Sequence, residues 1–451
     1  MIVNTELENK GNLFPSKIID FKKDVDTLYF STDNDVILQL TVVRDSLLRF
    51  RYTTVGNFDN DFSYAITQYA SIGYNKLEIE EKEDCYEVLT SKLRCDISKE
   101  DMRVSIYDAK DGTLINQDEG GFHWEESYEH GGNIVKMSKL SNDGESYYGL
   151  GDKPNHLNLK GKRYSNWATD SYAYGKDTDP IYKAIPFYTG LHHGKAYGIF
   201  FDNTFKSSFD FAHELRNVTS FWAQGGEMNY YFFYGPKMND VVESYTDLTG
   251  KPHHLPPLWA LGFHQCKWSY YPESKVKEIT ATFRKLKIPC DAIYLDIDYM
   301  EGFRCFTWNK EYFPDPKRMV KELLADGFKT VAIIDPGIKI DKDYSVFKEG
   351  LEKDYFCKRA DGAYMKGKVW PGECYFPDFT NPEVRDWWSG LFQELIEDIG
   401  VKGVWNDMNE PAVMEVPNKT FPDDVRHDYD GNPCSHRKAH NIYGMQMARA
   451  T

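Results

Sequence analysis

Apolar residues recur at every second position through the first half of the chain. Val36, Leu38, Leu40 and Val42 do so, followed by Leu48, Phe50 and Tyr52, then Leu93, Cys95 and Ile97, then Val104 and Ile106. Period two is the signature of strands with one buried face, and turn formers such as Asp111-Gly112 separate the runs. Helical spacing is scarce from residue 13 to about 240. Many short strands joined by polar turns predict a β-sandwich.

Within this region Tyr148-Gly149-Leu150-Gly151-Asp152 opens a stretch rich in Tyr, Asn and Asp that runs to Pro180. A loop of that length in a compact domain is functional or disordered, and its aromatics Tyr164, Trp167, Tyr172 and Tyr174 argue against disorder. The Gly-x-Gly has no third glycine and opens no helix, so it is not a dinucleotide fingerprint. Lys251-Pro252-His253-His254-Leu255-Pro256-Pro257 breaks both helix and strand and sets a boundary near 250, dividing the chain into domains 1–250 and 251–451. His253 and His254 have no third ligand at metal-site spacing, so a plain linker is the reading and no metal is expected.

Past the linker the pattern changes to strand alternating with helix. The predicted strands are 259–264, 292–298, 330–334 and 401–405. The helices between them carry Val276, Ile279, Phe283 and Leu286, then Met319, Val320, Leu323 and Leu324, then Trp387, Trp388, Leu391, Leu395 and Ile399, all at three- and four-residue spacing. An insertion from about 338 to 380 follows the third strand, and a helical segment, 439–450, ends the chain. Repeated β-α units with acids at the strand ends predict a (β/α)8 TIM barrel with its site on the carboxyl face. Only strands 1–4 are present, with the insertion after strand 3, so the expectation is the first half of a barrel, incomplete at the C-terminus.

Composition narrows the partners. A net charge of −16, from 54 basic and 70 acidic residues, excludes nucleic acid and anionic membranes as natural partners. Eight scattered cysteines without a Cys-x-x-Cys pair fit reduced thiols, not a zinc module or a disulfide framework. The N-terminus, 1–12, is polar and has no apolar signal core, and no apolar run spans a bilayer. The expected location is cytoplasmic, or periplasmic or secreted if a leader was removed. No cofactor is expected.

The candidate chemistry sits at the strand ends. Cleaving a glycosidic bond needs two carboxyls about one carbon, one attacking or stabilising and one protonating the leaving oxygen. Asp407 follows an apolar run ending in Trp405 and fits the first role. Glu410, three residues on, is the poorer nucleophile and suits orientation of its neighbours. Asp296 and Asp298 admit three readings: a divalent metal site, ligands to sugar hydroxyls, or a helix cap. No basic cluster that would accompany a metal-bound phosphate lies nearby.

The segment Trp405-Asn406-Asp407-Met408-Asn409-Glu410 resembles the nucleophile signature of glycoside hydrolase family 31, the family of α-glucosidases, α-xylosidases and α-glucan lyases. The likeness extends from Tyr148 to His440-Asn441-Ile442-Tyr443-Gly444. It implies Asp407 as nucleophile and Asp298, in Asp-Tyr-Met, as a ligand to the distal hydroxyls of the nonreducing sugar. It also implies a pocket wall of Trp268, Ile338, Trp370, Trp405 and Met408, through Gln-Cys-x-Trp, Asp-Pro-x-Ile, Lys-Val-Trp-Pro-Gly and Trp-x-Asp-Met. Asp170 matches a loop acid that contacts the sugar beyond the cleavage point; its plain alternative is a solvated loop acid. Asp152 stands where the family has Glu. The family's acid/base Asp, with an Arg and a His that hold the sugar, follows the His440–Gly444 segment and is expected beyond Thr451, in a C-terminal half that would complete the enzyme.

The resemblance implies a retaining, exo-acting α-glucosidase that hydrolyses terminal α-linked glucose from oligosaccharides. The Trp-Asn-Asp-Met-Asn-Glu form favours glucosidase over α-xylosidase. An α-glucan lyase, sharing the nucleophile, and a non-catalytic sugar-binding fragment are the alternatives.

Overall fold

A computed structural model of the chain describes residues 12–67 and 77–451. The polar stretch 1–11 lies outside them. Two compact units divide at the proline-rich segment, Met1–Lys251 and Pro252–Thr451.

The first unit is built from two antiparallel sheets. Among the described residues one has eight strands, with Leu47–Thr53 and Met228–Tyr234 paired near its centre; the other has nine, with the long strand Leu114–Glu126 between Asn133–Leu140 and Val104–Asp108. The alternating residues are the reason the sheets stack. Leu38, Leu40, Phe50, Ile199 and Tyr230 of one sheet and Cys95, Ile97, Ile106, Met137 and Phe221 of the other are buried in one core. Tyr52 stacks on Phe122 (ring centroids 4.6 Å apart) across it. The outer face of the eight-stranded sheet is covered by the helix Met238–Thr249, whose Val241 and Leu248 pack with Leu47, Phe200 and Phe233. The loop after Asp152 is tied down: Lys153 Nζ donates to Ser165 O and to Asp179 Oδ1, both at 2.7 Å, and Ser165 N donates to Asp179 Oδ2 at 2.6 Å.

The second unit holds four parallel strands in chain order, His264–Gln265, Ala292–Leu295, Lys329–Ile334 and Gly403–Asn406. Pairs Gln265–Ile293, Leu295–Ala332 and Ile334–Asn406 set the register. Helices Glu273–Lys285, Pro316–Ala325 and Pro382–Leu391 connect them. Two of these begin where an Asx residue meets a proline: Asp315 accepts from Arg318 N and Asn381 from Glu383 N, each at 2.9 Å, with Pro316 and Pro382 in the first turn. The insertion forms a three-stranded antiparallel sheet, ordered Ile338–Lys339, Gly372–Tyr375, Lys366–Val369, and the helix Ser345–Glu352. Trp388, Phe379 and Tyr443 centre the core, with ring centroids 5.0 and 5.3 Å from Phe379.

The strands do not close into a barrel. The first is also shorter than its apolar pattern suggests. Residues Leu258–Leu261 form a 3-10 turn, and only His264–Gln265 pairs. That strand lies at the sheet edge with a partner on one side, and Leu261 and Phe263 are exposed, so neither ladder nor core extends it. The second strand stops at Leu295, before the two acids expected within it. No described helix is long and apolar enough to cross a membrane.

Candidate active site

The second, third and fourth strands of the parallel sheet each release an acid at their carboxyl end. Val331 to Ile334 are buried, and the chain leaves the sheet at Asp335; Gly403–Asn406 is followed by Asp407. Asp407 N donates to Ile334 O at 3.2 Å, carrying the ladder one step past the Ile334–Asn406 pair and setting Asp335 beside Asp407. Asp296 leaves the second strand, and its side chain accepts from Ile297 N at 2.7 Å, capping the turn Ile297–Tyr299 that holds Asp298.

These acids act on one another. Burial pushes the Asp335 carboxyl well above the ordinary carboxylate range, and Asp407, Asp296 and Glu410 push it further. Burial also raises Asp296; the Ile297 amide opposes this, and Asp407 and Asp298 add to it. At the end of the first strand the exposed, free Cys266 thiol is pushed up to about 11 by its partial burial, with Asp296 and Asp407 contributing. The four strand ends therefore bring Asp296, Asp298, Asp335, Asp407, Glu410 and Cys266 to one acidic site.

The aromatic candidates divide. Trp268 and Trp370, 66% and 40% exposed, present tilted rings 5.8 Å apart, a surface suited to the apolar face of a pyranose. Trp405 is half-buried and meets Tyr294 edge to face at 6.0 Å. Met408 takes a left-handed backbone (φ 56°), unfavourable for a side chain of its size and placed directly after Asp407. Ile338 is fully buried in the core on the insertion's sheet, paired with Tyr375. Asp170 belongs to the first unit, half-buried in the loop after Asn166. Two residues of the site had no role assigned from sequence, Asp335 and Cys266. For Asp335 the signal was present: it ends strand three as Asp296 and Asp407 end strands two and four.

A second cluster has metal-ligand chemistry. Cys357, Asp378 and His427 place donor atoms within 4.8 Å of one another. The Asp378 carboxylate is already occupied: Oδ1 accepts from His427 Nδ1 (3.0 Å) and Thr380 Oγ1 (2.7 Å), and Oδ2 from Asp428 N (2.8 Å). Cys357 Sγ donates to Pro377 O at 3.6 Å. His427 Nε2 continues to His436 Nδ1 (3.0 Å), and His436 Nε2 to His440 Nδ1 (2.9 Å). Burial works against an ionised Asp378, yet His427 and the hydrogen bonds hold it below the usual range. The cluster is a hydrogen-bonded post that ties 378–380 to the helix His436–Ala450.

Two family models match the chain. Residues 253–451 match the glycosyl hydrolases family 31 TIM-barrel domain, and 37–210 the glycosyl hydrolase 31 N-terminal galactose mutarotase-like domain. The chain belongs to glycoside hydrolase family 31. The likeness to known proteins covers most of the chain. The chain is 39% identical over 418 residues to Alpha-glucosidase 2 of Bacillus thermoamyloliquefaciens, covering 92% of this chain and 52% of that one. To an alpha-glucosidase of Saccharolobus solfataricus it is 37% identical over 339 residues, covering 71% and 48%. A family 31 dextranase of Flavobacterium johnsoniae, solved with isomaltotriose, superposes with a TM-score of 0.89 at 33% identity, covering 97% of this chain and 52% of that one. The chain thus spans about half the length of the curated relatives it matches.

Proposed function

We propose that the protein is a retaining, exo-acting α-glucosidase that releases terminal nonreducing glucose from α-linked oligosaccharides, with Asp407 as nucleophile. The observation that carries this is the convergence of carboxyls at the strand ends, with Asp407 fixed by the ladder inside Trp-Asn-Asp-Met-Asn-Glu. The names of the two alpha-glucosidase relatives support it. In the reaction the Asp407 carboxylate attacks the anomeric carbon, the glycosidic C–O bond breaks, and the leaving oxygen takes a proton from an acid. Water then cleaves the glucosyl ester, returning its proton to the same acid and restoring the starting anomeric configuration. No residue of this chain is assigned that acid/base role. Asp296 and Asp298 accept from sugar hydroxyls, Trp268, Trp370, Trp405 and Met408 cover the ring, and Glu410 orients its neighbours. Ile338 and Asp170 are assigned to the sugar on the resemblance alone.

The test is trapping with 5-fluoro-α-D-glucosyl fluoride on the full-length protein, followed by sequencing of the labelled peptide. The label is expected on Asp407. A label on Glu410, or an inverted anomeric product by NMR, would overturn the assignment.

A further inference from the structure

Asp335 is the most enclosed acid of the site. It is 4% exposed, and its Oδ1 is buried with no hydrogen-bond partner among the described residues. Its main chain is clamped by the segment after the second strand. Cys305 Sγ donates to Asp335 O at 3.2 Å, and Tyr299 Oη to Ile333 O at 2.9 Å. Tyr344 Oη in turn donates to Cys305 O at 2.6 Å. The register sets the residue beside Asp407. The charged groups that act on it are Asp407, Asp296 and Glu410, and its other titratable neighbours are Cys305, Cys374 and Tyr299.

An ionised carboxylate with an unbonded oxygen, buried among other acids, is strongly disfavoured. Carboxyls that share a site do not all ionise; the one with least access to water keeps its proton. We propose that Asp335 is a positioning residue for Asp407: a neutral carboxyl packed beside the nucleophile that leaves the negative charge of the pair on Asp407. A second charge there would raise the basicity of Asp407 and protonate it at the pH where it must attack. The inference rests on the assignment of Asp407 as nucleophile, and its first test does not depend on activity.

The full-length wild-type protein and Asp335→Asn are compared by infrared difference spectroscopy in D2O at pH 7. A protonated-carboxyl band present in wild type and lost in the variant is expected; loss of a carboxylate band alone overturns the proposal. Should Asp335→Asn not fold, the wild-type spectrum alone must still contain a protonated-carboxyl band at pH 7, and its absence is decisive against. In turnover, Asp335→Ala should lower kcat on the order of a hundredfold with KM little changed, and the neutral isostere Asp335→Asn should recover most of that loss. The acid limb of kcat/KM, set by Asp407, should not move in Asp335→Asn. A downward move of about one pH unit or more would mean that a charge had been removed, and would refute the idea. If wild type hydrolyses no α-glucoside, the function fails while the infrared result still decides the state of Asp335.

Discussion

Substituting Gly444 by alanine should injure the active site from behind. Gly444 lies in the helix His436–Ala450 against the segment that follows the nucleophile. A Cβ built there would stand 2.6 Å from Asn409 O and 3.3 Å from Asn409 Cγ, where ordinary contact begins at 3.4 Å. The two elements must therefore separate by about 0.8 Å, the difference between 3.4 and 2.6 Å. The helix has little room to retreat, because the adjacent Tyr443 is fully buried and its hydroxyl donates to Pro377 O at 2.9 Å. The displacement falls on Asn409, two residues past Asp407. A shift of roughly 1 Å in a reacting group can cost about a hundredfold, so kcat/KM should drop between ten- and a hundredfold. Stability should change less: overpacking costs about 1–3 kcal/mol, and replacing a helical glycine by alanine returns about 1 kcal/mol. Gly390→Ala is the control, since a Cβ there meets nothing within 4 Å in the helix Pro382–Leu391. It should keep full activity and unfold at the same or a higher temperature. Steady-state kinetics and thermal unfolding of both variants in the full-length protein test this. Unchanged kcat/KM in a normally stable Gly444→Ala would refute the reasoning.

Asp407→Ala should lower kcat by several orders of magnitude, because the residue acts in both halves of the reaction, while Glu410→Gln keeps more activity than Asp407→Asn; steady-state rates decide this. Asp298→Asn should lower kcat/KM for an α-glucoside, since hydroxyl contacts away from the bond stabilise the transition state; an unchanged value removes Asp298 from the sugar site, and activity restored by added Mg²⁺ points to a metal instead. Cys266 should react slowly with a thiol reagent at pH 7 and faster as pH approaches its raised value of about 11; Cys266→Ser identifies its share of the rate, and fast reaction at neutral pH contradicts the acidic surroundings described. Asp378 has a lowered folded pKa, so its stabilisation is present above the unfolded value near 4 and is lost as pH falls through the folded value. Asp378→Ala should cost about 3–5 kcal/mol at neutral pH and flatten the stability curve below about pH 4; parallel wild-type and variant curves in urea unfolding would count against the buried post.

Much of the fold was written in the periodicity, because one face of each antiparallel strand must be dry. Val36, Leu38, Leu40 and Val42 are all fully buried, as alternation requires. Periodicity names the face and not the neighbour. Met228–Tyr234 pairs with Leu47–Thr53, so that Tyr230 lies opposite Phe50 across 180 residues of chain, and nothing local to either strand specifies the other. The four parallel strands were legible in their order. Two were misjudged in extent: the first, an edge strand whose Leu261 and Phe263 are exposed and lie outside the ladder, and the second, which leaves the sheet at Asp296 for the capped turn Ile297–Tyr299.

The site shows the same division between what a short stretch determines and what tertiary packing adds. Asp407 stood out because its own neighbours, Trp405 to Glu410, form the signature. Asp335 did not, because its distinguishing property is enclosure, and the enclosing groups Tyr299, Cys305 and Tyr344 come from segments 9 to 36 residues away, as their numbers show. The Asp296/Asp298 pair shows why separate readings of a motif need not compete. Asp296 does cap a turn, through the bond from Ile297 N, and that bond uses one oxygen of two. Capping fixes the carboxylate's direction, while Asp407 and Asp298 act on the same charge. A cap of this kind supplies orientation without consuming the group, so a residue assigned to local structure from sequence remains available to hold a sugar hydroxyl at the end of its strand.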